Sequence, residues 1–149
     1  MIPAPPIIDI PPETPATVRN EIELSFELFW VDPGACANRL RISVERIMDN
    51  ANVAGTSLAE RISLYDARDL HGETLHALRI VGNLGSHEGK VEREVLCDAY
   101  HIYEHALAEL YGRRTAKARA IRERLIKTKG RYAAKDSSTP LSDGKGSVH

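Results

Sequence analysis

The sequence predicts an all-α protein. Apolar residues recur at helical spacing in segment after segment, no segment sustains period-two alternation, and β-branched residues never cluster. At 149 residues, with 42% hydrophobic and 28% charged content, the chain can bury a core as one domain with tails. Four or five packed helices are expected, preceded by an extended arm and followed by a basic extension.

Six of the eight prolines fall within the first fifteen residues. Proline fixes φ and cannot join an interior helix, so residues 1–14 are expected to form a Pro-rich arm. Ile7, Ile8 and Ile10 are placed to pin it to the body or to a partner. Thr14-Pro15 then supplies an N-cap with proline at the first helical position. Val18, Ile22, Phe26 and Phe29 follow at helical spacing, with Leu28 and Trp30 adding bulk, so a helix with core aromatics is expected over about 15–30. Asp32-Pro33 repeats the start signal, and Ala37, Leu40, Val44, Ile47 and Ala51 predict a second helix over about 33–51. On its other side, Arg41 and Glu45 stand i, i+4 and can pair.

Ala54-Gly55-Thr56-Ser57 breaks that helix, and Ser57 with Glu60 forms a capping box for a third carrying Leu58, Ile62 and Tyr65. A central segment runs from about Gly72 to Ser86. After Glu88-Gly89-Lys90, the residues Val95, Ala99, Ile102, Ala106 and Leu110, widened by Leu96, Tyr103 and Leu107, predict a long helix over about 91–111. Gly112 reads as a stop or kink. Beyond it Ala118, Ile121 and Leu125 give a basic helix a thin apolar face to about 129. The segmentation is thus an arm (1–14), a helical domain (15–111), a basic extension (112–132) and a tail (133–149) whose Ser, Gly, Asp and Lys content predicts disorder.

Composition excludes several classes of function. Nothing approaches the ~18 consecutive apolar residues of a membrane span. The stretch Met1-Ile2-Pro3-Ala4-Pro5-Pro6 has neither the basic nor the apolar region of a secretory signal. Cys36 and Cys97 lie far apart without a C-x-x-C pair and read as buried small hydrophobes in a reducing compartment, with the cytoplasm as the default. The net charge of −1 conceals a separation. Between Arg113 and Lys135 ten Lys/Arg face the single acid Glu123, or +9, leaving ten basic against twenty acidic residues, or −10, elsewhere. Such asymmetry suggests a basic stretch for a polyanion, with Arg113, Arg114, Lys117, Arg124, Lys127 and Arg131 as candidates for contacting RNA or DNA phosphates. The other reading folds that stretch against acidic surface of its own chain or a dimer partner.

The chemistry-bearing stretch is Arg79-Ile80-Val81-Gly82-Asn83-Leu84-Gly85-Ser86-His87. On a helix Arg79, Asn83 and His87 share one stripe with Ser86 beside it, and Leu75, Leu78 and Val81 fall on another. Gly82 and Gly85 each cost roughly 1 kcal/mol against Ala in a helix. Their presence points to close backbone approach or a helix end.

This block, with Asp32-Pro33 leading into Ala37-Asn38-Arg39-Leu40-Arg41 and Glu45 one turn on, resembles a bacterial domain-of-unknown-function family. That family occurs as small stand-alone proteins and appended to restriction-endonuclease subunits, and it resembles the HEPN superfamily (higher eukaryotes and prokaryotes nucleotide-binding). The resemblance covers residues 15–111. It implies a HEPN-like helical bundle that dimerises and works as an interaction module for nucleic acid or a protein partner, in a bacterial or phage defence or restriction setting. Many HEPN members cut RNA without a metal, using an Arg and a following His brought together across a two-fold axis. Their spacing is shorter than the seven residues that separate Arg79 from His87 here.

An endoribonuclease built this way would use neutral His87 to take a proton from a ribose 2′-hydroxyl. Arg79 would stabilise the phosphoryl oxygens, and Asn83 would orient the His or bond the phosphate. No cofactor or metal is needed. The structural alternative has Asn83 and His87 bonding backbone carbonyls at a helix end while Arg79 pairs with Glu45 or another acid. In a third reading the protein is an anti-restriction or regulatory partner that mimics a subunit's domain. His101 and His105, at i, i+4 with Asp98 nearby, could hold a metal, but no third strong ligand is placed by the sequence. His76 lies one turn before Ile80, near the polar stripe.

Overall fold

Asp32 and Pro33 start the helix on which the others are laid. In a computed structural model, which describes residues 4–69 and 71–131, the Asp32 carboxylate accepts the Ala35 N–H at 3.1 Å and Pro33 holds the first helical position. An otherwise orphaned donor is thereby satisfied where proline's preset φ already suits a helix. The elements in order are α1 (Ala16–Leu28), α2 (Pro33–Asn50), α3 (Leu58–Asp69), α4 (Gly72–Glu88), α5 (Arg93–Leu107), a π-helical turn (Ala108–Gly112) and α6 (Arg113–Thr128). The described residues contain no strand, and none of their helices is long and apolar enough to cross a membrane. The chain divides into two compact units, one ending at Thr115 and one beginning at Ala116. The tail from 133 onward, expected to be disordered, lies outside the described residues.

In the first unit α2 is central, packing against α1, α3, α4 and α5. It buries Cys36, Ala37, Leu40, Val44, Ile47 and Met48, so that no stretch of its inner face is polar except Ser43. Val18, Ile22, Phe26 and Phe29 meet it from the first helix and its C-cap, Leu75 and Leu78 from α4, and Leu96, Tyr100 and Tyr103 from α5. Each large side chain removed from water contributes about 1.5–3 kcal/mol. Two buried tyrosines bring hydroxyls into this core, and each finds a partner. Tyr100 meets Ser25 at 2.6 Å and the Cys36 thiol at 3.2 Å, while Tyr103 meets Ser43 at 2.7 Å.

The contact between α2 and α4 is made without side chains at its closest points. A Cβ built on Gly85 would stand 2.3 Å from the Gly34 carbonyl oxygen, and one on Gly82 would stand 2.3 Å from Arg41 Cβ and 3.0 Å from the Ala37 carbonyl. Gly34, Ala37 and Arg41 thus face Gly82, Gly85 and Gly89 along one seam, each set spaced i, i+3, i+7. The two central glycines serve close approach. The helix ends instead at Gly89, whose φ of +70° is the left-handed conformation that glycine adopts without strain.

Several expectations change. Trp30, expected in the core, is 71% exposed, because α1 stops at Leu28 and helical periodicity no longer sets its direction. It lies edge-on to Phe29 and beneath the Arg93 guanidinium, 5.6 Å from the ring centroid. Cys36 is buried as expected, whereas Cys97 is exposed, one step round α5 from Leu96. Gly112 does not stop the helix, since the backbone passes through the π-helical turn that ends at Gly112 directly into α6. The third helix keeps half of its capping box. Ser57 Oγ accepts the Glu60 N–H at 3.1 Å, but the Glu60 carboxylate reaches back to Thr56 rather than to Ser57. Near the N-terminus Ile8 is buried, the Asp9 N–H donates to Glu104 Oε2 at 2.7 Å, and Arg19 Nη2 donates to the Pro11 carbonyl at 2.6 Å.

Candidate functional site

Arg79, Asn83 and His87 lie on one side of α4, flanking the glycine seam. Ser86, on the same side, crosses to α2 and donates to Asn38 Oδ1 at 2.7 Å. The same oxygen accepts Arg41 Nη2 at 3.0 Å and Nε at 3.2 Å, and Arg41 Nη1 is bound to the Glu45 carboxylate. The expected Arg41–Glu45 pair is therefore present, and it belongs to a larger network that ties the two helices together. Arg41 can lie flat over α4 because Gly82 beneath its Cβ has no side chain.

The three stripe residues are differently placed. Arg79 is partly buried, and its Nε donates to His76 Nδ1 over a long 3.4 Å. A guanidinium can only donate, so His76 accepts at Nδ1 and its Nε2–H faces Ser63 Oγ on α3, also 3.4 Å away. Asn83 is partly buried and His87 exposed, and neither makes a side-chain hydrogen bond or ion pair among the described residues. Contrary to the structural alternative, among the described residues Arg79 pairs with neither Glu45 nor another acid, and Asn83 and His87 cap no carbonyl. Eight residues at 1.5 Å per residue put Arg79 and His87 about 12 Å apart along the axis. One helix therefore offers separate donors in a row, not a pair closed on a single atom.

Among the basic candidates, Arg113 is exposed and bound to Glu109, and Lys117, Arg124, Lys127 and Arg131 are exposed. The Arg114 side chain lies outside the described residues. In the second unit the apolar residues Ile121 and Leu125 of α6 are themselves 39% and 45% exposed.

Hollows open beside the first unit's helices, and two of them are lined by described residues. One, of about 340 Å³, opens between Pro33-Gly34 and the loop Gly89–Glu92 and is bordered by Lys90 and Arg93. Arg93 is already committed there, to the carbonyls of Phe29 and Trp30. The other, of about 400 Å³, is lined by His71, His101, His105 and Glu109. The rings of His101 and His105 stand 5.1 Å apart, edge to face, and no group of three or more His, Cys, Asp or Glu among the described residues is arranged to hold a metal ion.

Residues 24–128, most of the chain, match a family model described as a domain of unknown function (DUF4145). The chain belongs to the DUF4145 family. The matched span begins inside α1 and ends with α6, so it contains the α2–α4 seam, the polar stripe and the basic helix of this DUF4145 protein. No curated protein and no solved structure matches it. Sequence reasoning passed over Asn38 as a site residue. Its spacing of i, i+3 from Arg41 was visible, but its partner Ser86 lies forty-eight residues away.

Proposed function

We propose that this DUF4145 protein is a HEPN-like, self-associating cytoplasmic module that binds nucleic-acid phosphates, in a defence or restriction setting. The supporting observation is a ribbon of donors with unspent capacity on α4. Among the described residues Asn83 and His87 have no side-chain partner and Arg79 meets only the His76 ring nitrogen, while Glu45 of α2 is held by Arg41. A row of donors spread over about 12 Å suits successive groups along a phosphate backbone. The exposed cations Lys117, Lys127 and Arg131 would add sequence-independent attraction. Fluorescence anisotropy with a short single-stranded RNA tests this. Arg79→Ala and His87→Ala should each weaken binding several-fold with the fold intact, and binding unchanged in both would remove the stripe from the interface.

A second reading, a metal-independent endoribonuclease, is favoured by the exposure of His87 and its lack of a side-chain hydrogen bond among the described residues, which leave it open to act as a base. Because Arg79 of the same chain stands about a dozen ångströms along the helix, an Arg79 beside His87 would have to come from a second copy. Cleavage in EDTA that leaves cyclic phosphate ends, abolished by His87→Ala, would establish it. No cleavage at high protein concentration leaves the binding module alone.

A further inference from the structure

Asn38 Oδ1 accepts three hydrogen bonds, from Ser86 Oγ at 2.7 Å and from Arg41 Nη2 and Nε at 3.0 and 3.2 Å. The guanidinium has no acceptor, so the atom it meets must be the amide oxygen. Rotating the amide would press an NH2 group against a cation. The oxygen is thus fully occupied and the orientation of the group fixed. Its nitrogen carries two donors and has no partner among the described residues. Asn38 is half-buried, and this nitrogen is not sealed from water, since Thr14 Oγ1 is the one unpartnered side-chain polar atom so sealed among the described residues. A cation and a hydroxyl drawing on the oxygen polarise the amide and strengthen its N–H groups as donors.

Ser86 places this group. It is adjacent in sequence to His87 and one turn beyond Asn83, so the amide it holds borders the α4 stripe from the α2 side. Glu45, one turn beyond Arg41 on α2, is paired with Arg41. The result is a fixed donor, not sealed from water, with no acceptor among the described residues.

We infer that Asn38 is a phosphodiester-binding residue, donating from Nδ2 to a non-bridging phosphate oxygen while Arg41 and Ser86 hold its carbonyl. The inference rests on the reading of the α4 stripe as a nucleic-acid-binding ribbon and adds a second helix to it.

Side-chain amide NMR of the full chain tests the contact directly. The probes are uridylyl-uridine, thymidylyl-thymidine and, lacking a phosphate, uridine. The Asn38 NH2 signals, identified by their loss in Asn38→Asp, should shift with a dinucleotide and stay in place with the nucleoside. A shift with both dinucleotides assigns the contact to the phosphodiester shared by RNA and DNA, and a shift with the ribose form alone restricts it to RNA. Asn38→Asp keeps the oxygen that Arg41 and Ser86 require, so its melting temperature should not fall. Its affinity for a short RNA should fall about tenfold or more, as for a lost hydrogen bond to a charged group. That loss should persist when salt is raised to about 0.3 M, which screens the added charge but cannot restore a donor. Shifts at Asn83 and His87 without one at Asn38, or an Asn38 shift equal with uridine, overturn the inference and leave the stripe reading standing. No shift at any of the three overturns both.

Discussion

Replacing Gly85 by alanine sets two effects of opposite sign against each other. Helix propensity alone favours the change by about 1 kcal/mol, since Gly85 lies within α4. The seam opposes it. The new Cβ would lie 2.3 Å from the Gly34 carbonyl oxygen and 3.0 Å from Ala37 Cβ, against an ordinary contact of 3.4 Å or more. Neither neighbour is the end of a flexible side chain, so the helices must part by about 1 Å, at the upper end of the 1–3 kcal/mol typical of overpacking. The net expectation is a loss of about 2 kcal/mol, or roughly 6 °C in Tm for a chain of this size. Parting the helices also stretches the bond from Ser86 to Asn38. Thermal and urea unfolding of the full chain followed by circular dichroism would measure the change, with the exposed neighbour Leu84→Ala as a control expected within about 0.5 kcal/mol of the parent. A Gly85→Ala protein that melts higher than its parent would show that α2 and α4 do not approach backbone to backbone.

Removing either member of the buried Ser43–Tyr103 pair should give unequal losses in urea unfolding. Tyr103→Phe leaves Ser43 bonded to the Leu40 carbonyl at 2.6 Å, whereas Ser43→Ala strands a buried phenol, so about 1 kcal/mol is expected for the first and up to about 3 for the second. Alkali should destabilise the first unit. Burial pushes the Cys36 thiol above its ordinary 9.0, against a lowering hydrogen bond from Tyr100 and helped by repulsion from Asp32. Burial likewise pushes the hydroxyls of Tyr100 and Tyr103 well above 10.0. Groups raised in the folded state contribute stability that is whole below the unfolded values. It is lost as pH rises past them, because the unfolded chain then releases protons the folded chain retains. The urea midpoint should accordingly be level to about pH 8 and fall steadily toward about pH 11, less steeply in Tyr103→Phe. Truncation after Gly112 removes the ten Lys/Arg between Arg113 and Lys135, and should weaken RNA binding and flatten the slope of log affinity against log salt. Equal slopes for both forms would take the basic stretch out of the nucleic-acid interface.

Much of the fold was legible because local signals and tertiary packing agree. Asp32-Pro33 marked a helix that runs Pro33–Asn50, and most residues named by the apolar period along α2 and α5 are buried, although Ala51, Val95, Ile102 and Leu110 are half-buried and the buried Tyr100 was not among them. Two of the misreadings fall where periodicity stops, whereas Cys97 lies inside α5, on its exposed side. Trp30 lies two residues beyond the end of α1, and Gly112 sits in a π-helical turn whose backbone bonds continue although glycine is a poor helix former. At the candidate site Arg79, Asn83 and His87 could be placed on one stripe from spacing alone. What spacing could not supply was the other wall. Gly34 and Ala37 opposite Gly85, and Asn38 opposite Ser86, become neighbours only when two helices separated by more than twenty residues of chain are laid together. For the same reason the two uses offered for Gly82 and Gly85 could not be decided without the facing backbone.

The way residues 9–11 are held has a consequence for how sequences of this kind can drift. Two of the ties there are made to main-chain atoms, the amide of Asp9 and the carbonyl of Pro11, by the side chains of Glu104 and Arg19. Such a grip is blind to what those positions spell. Asp9 can mutate to any residue that keeps an N–H, so only proline is barred, while Glu104 and Arg19 carry the whole burden of preserving the attachment.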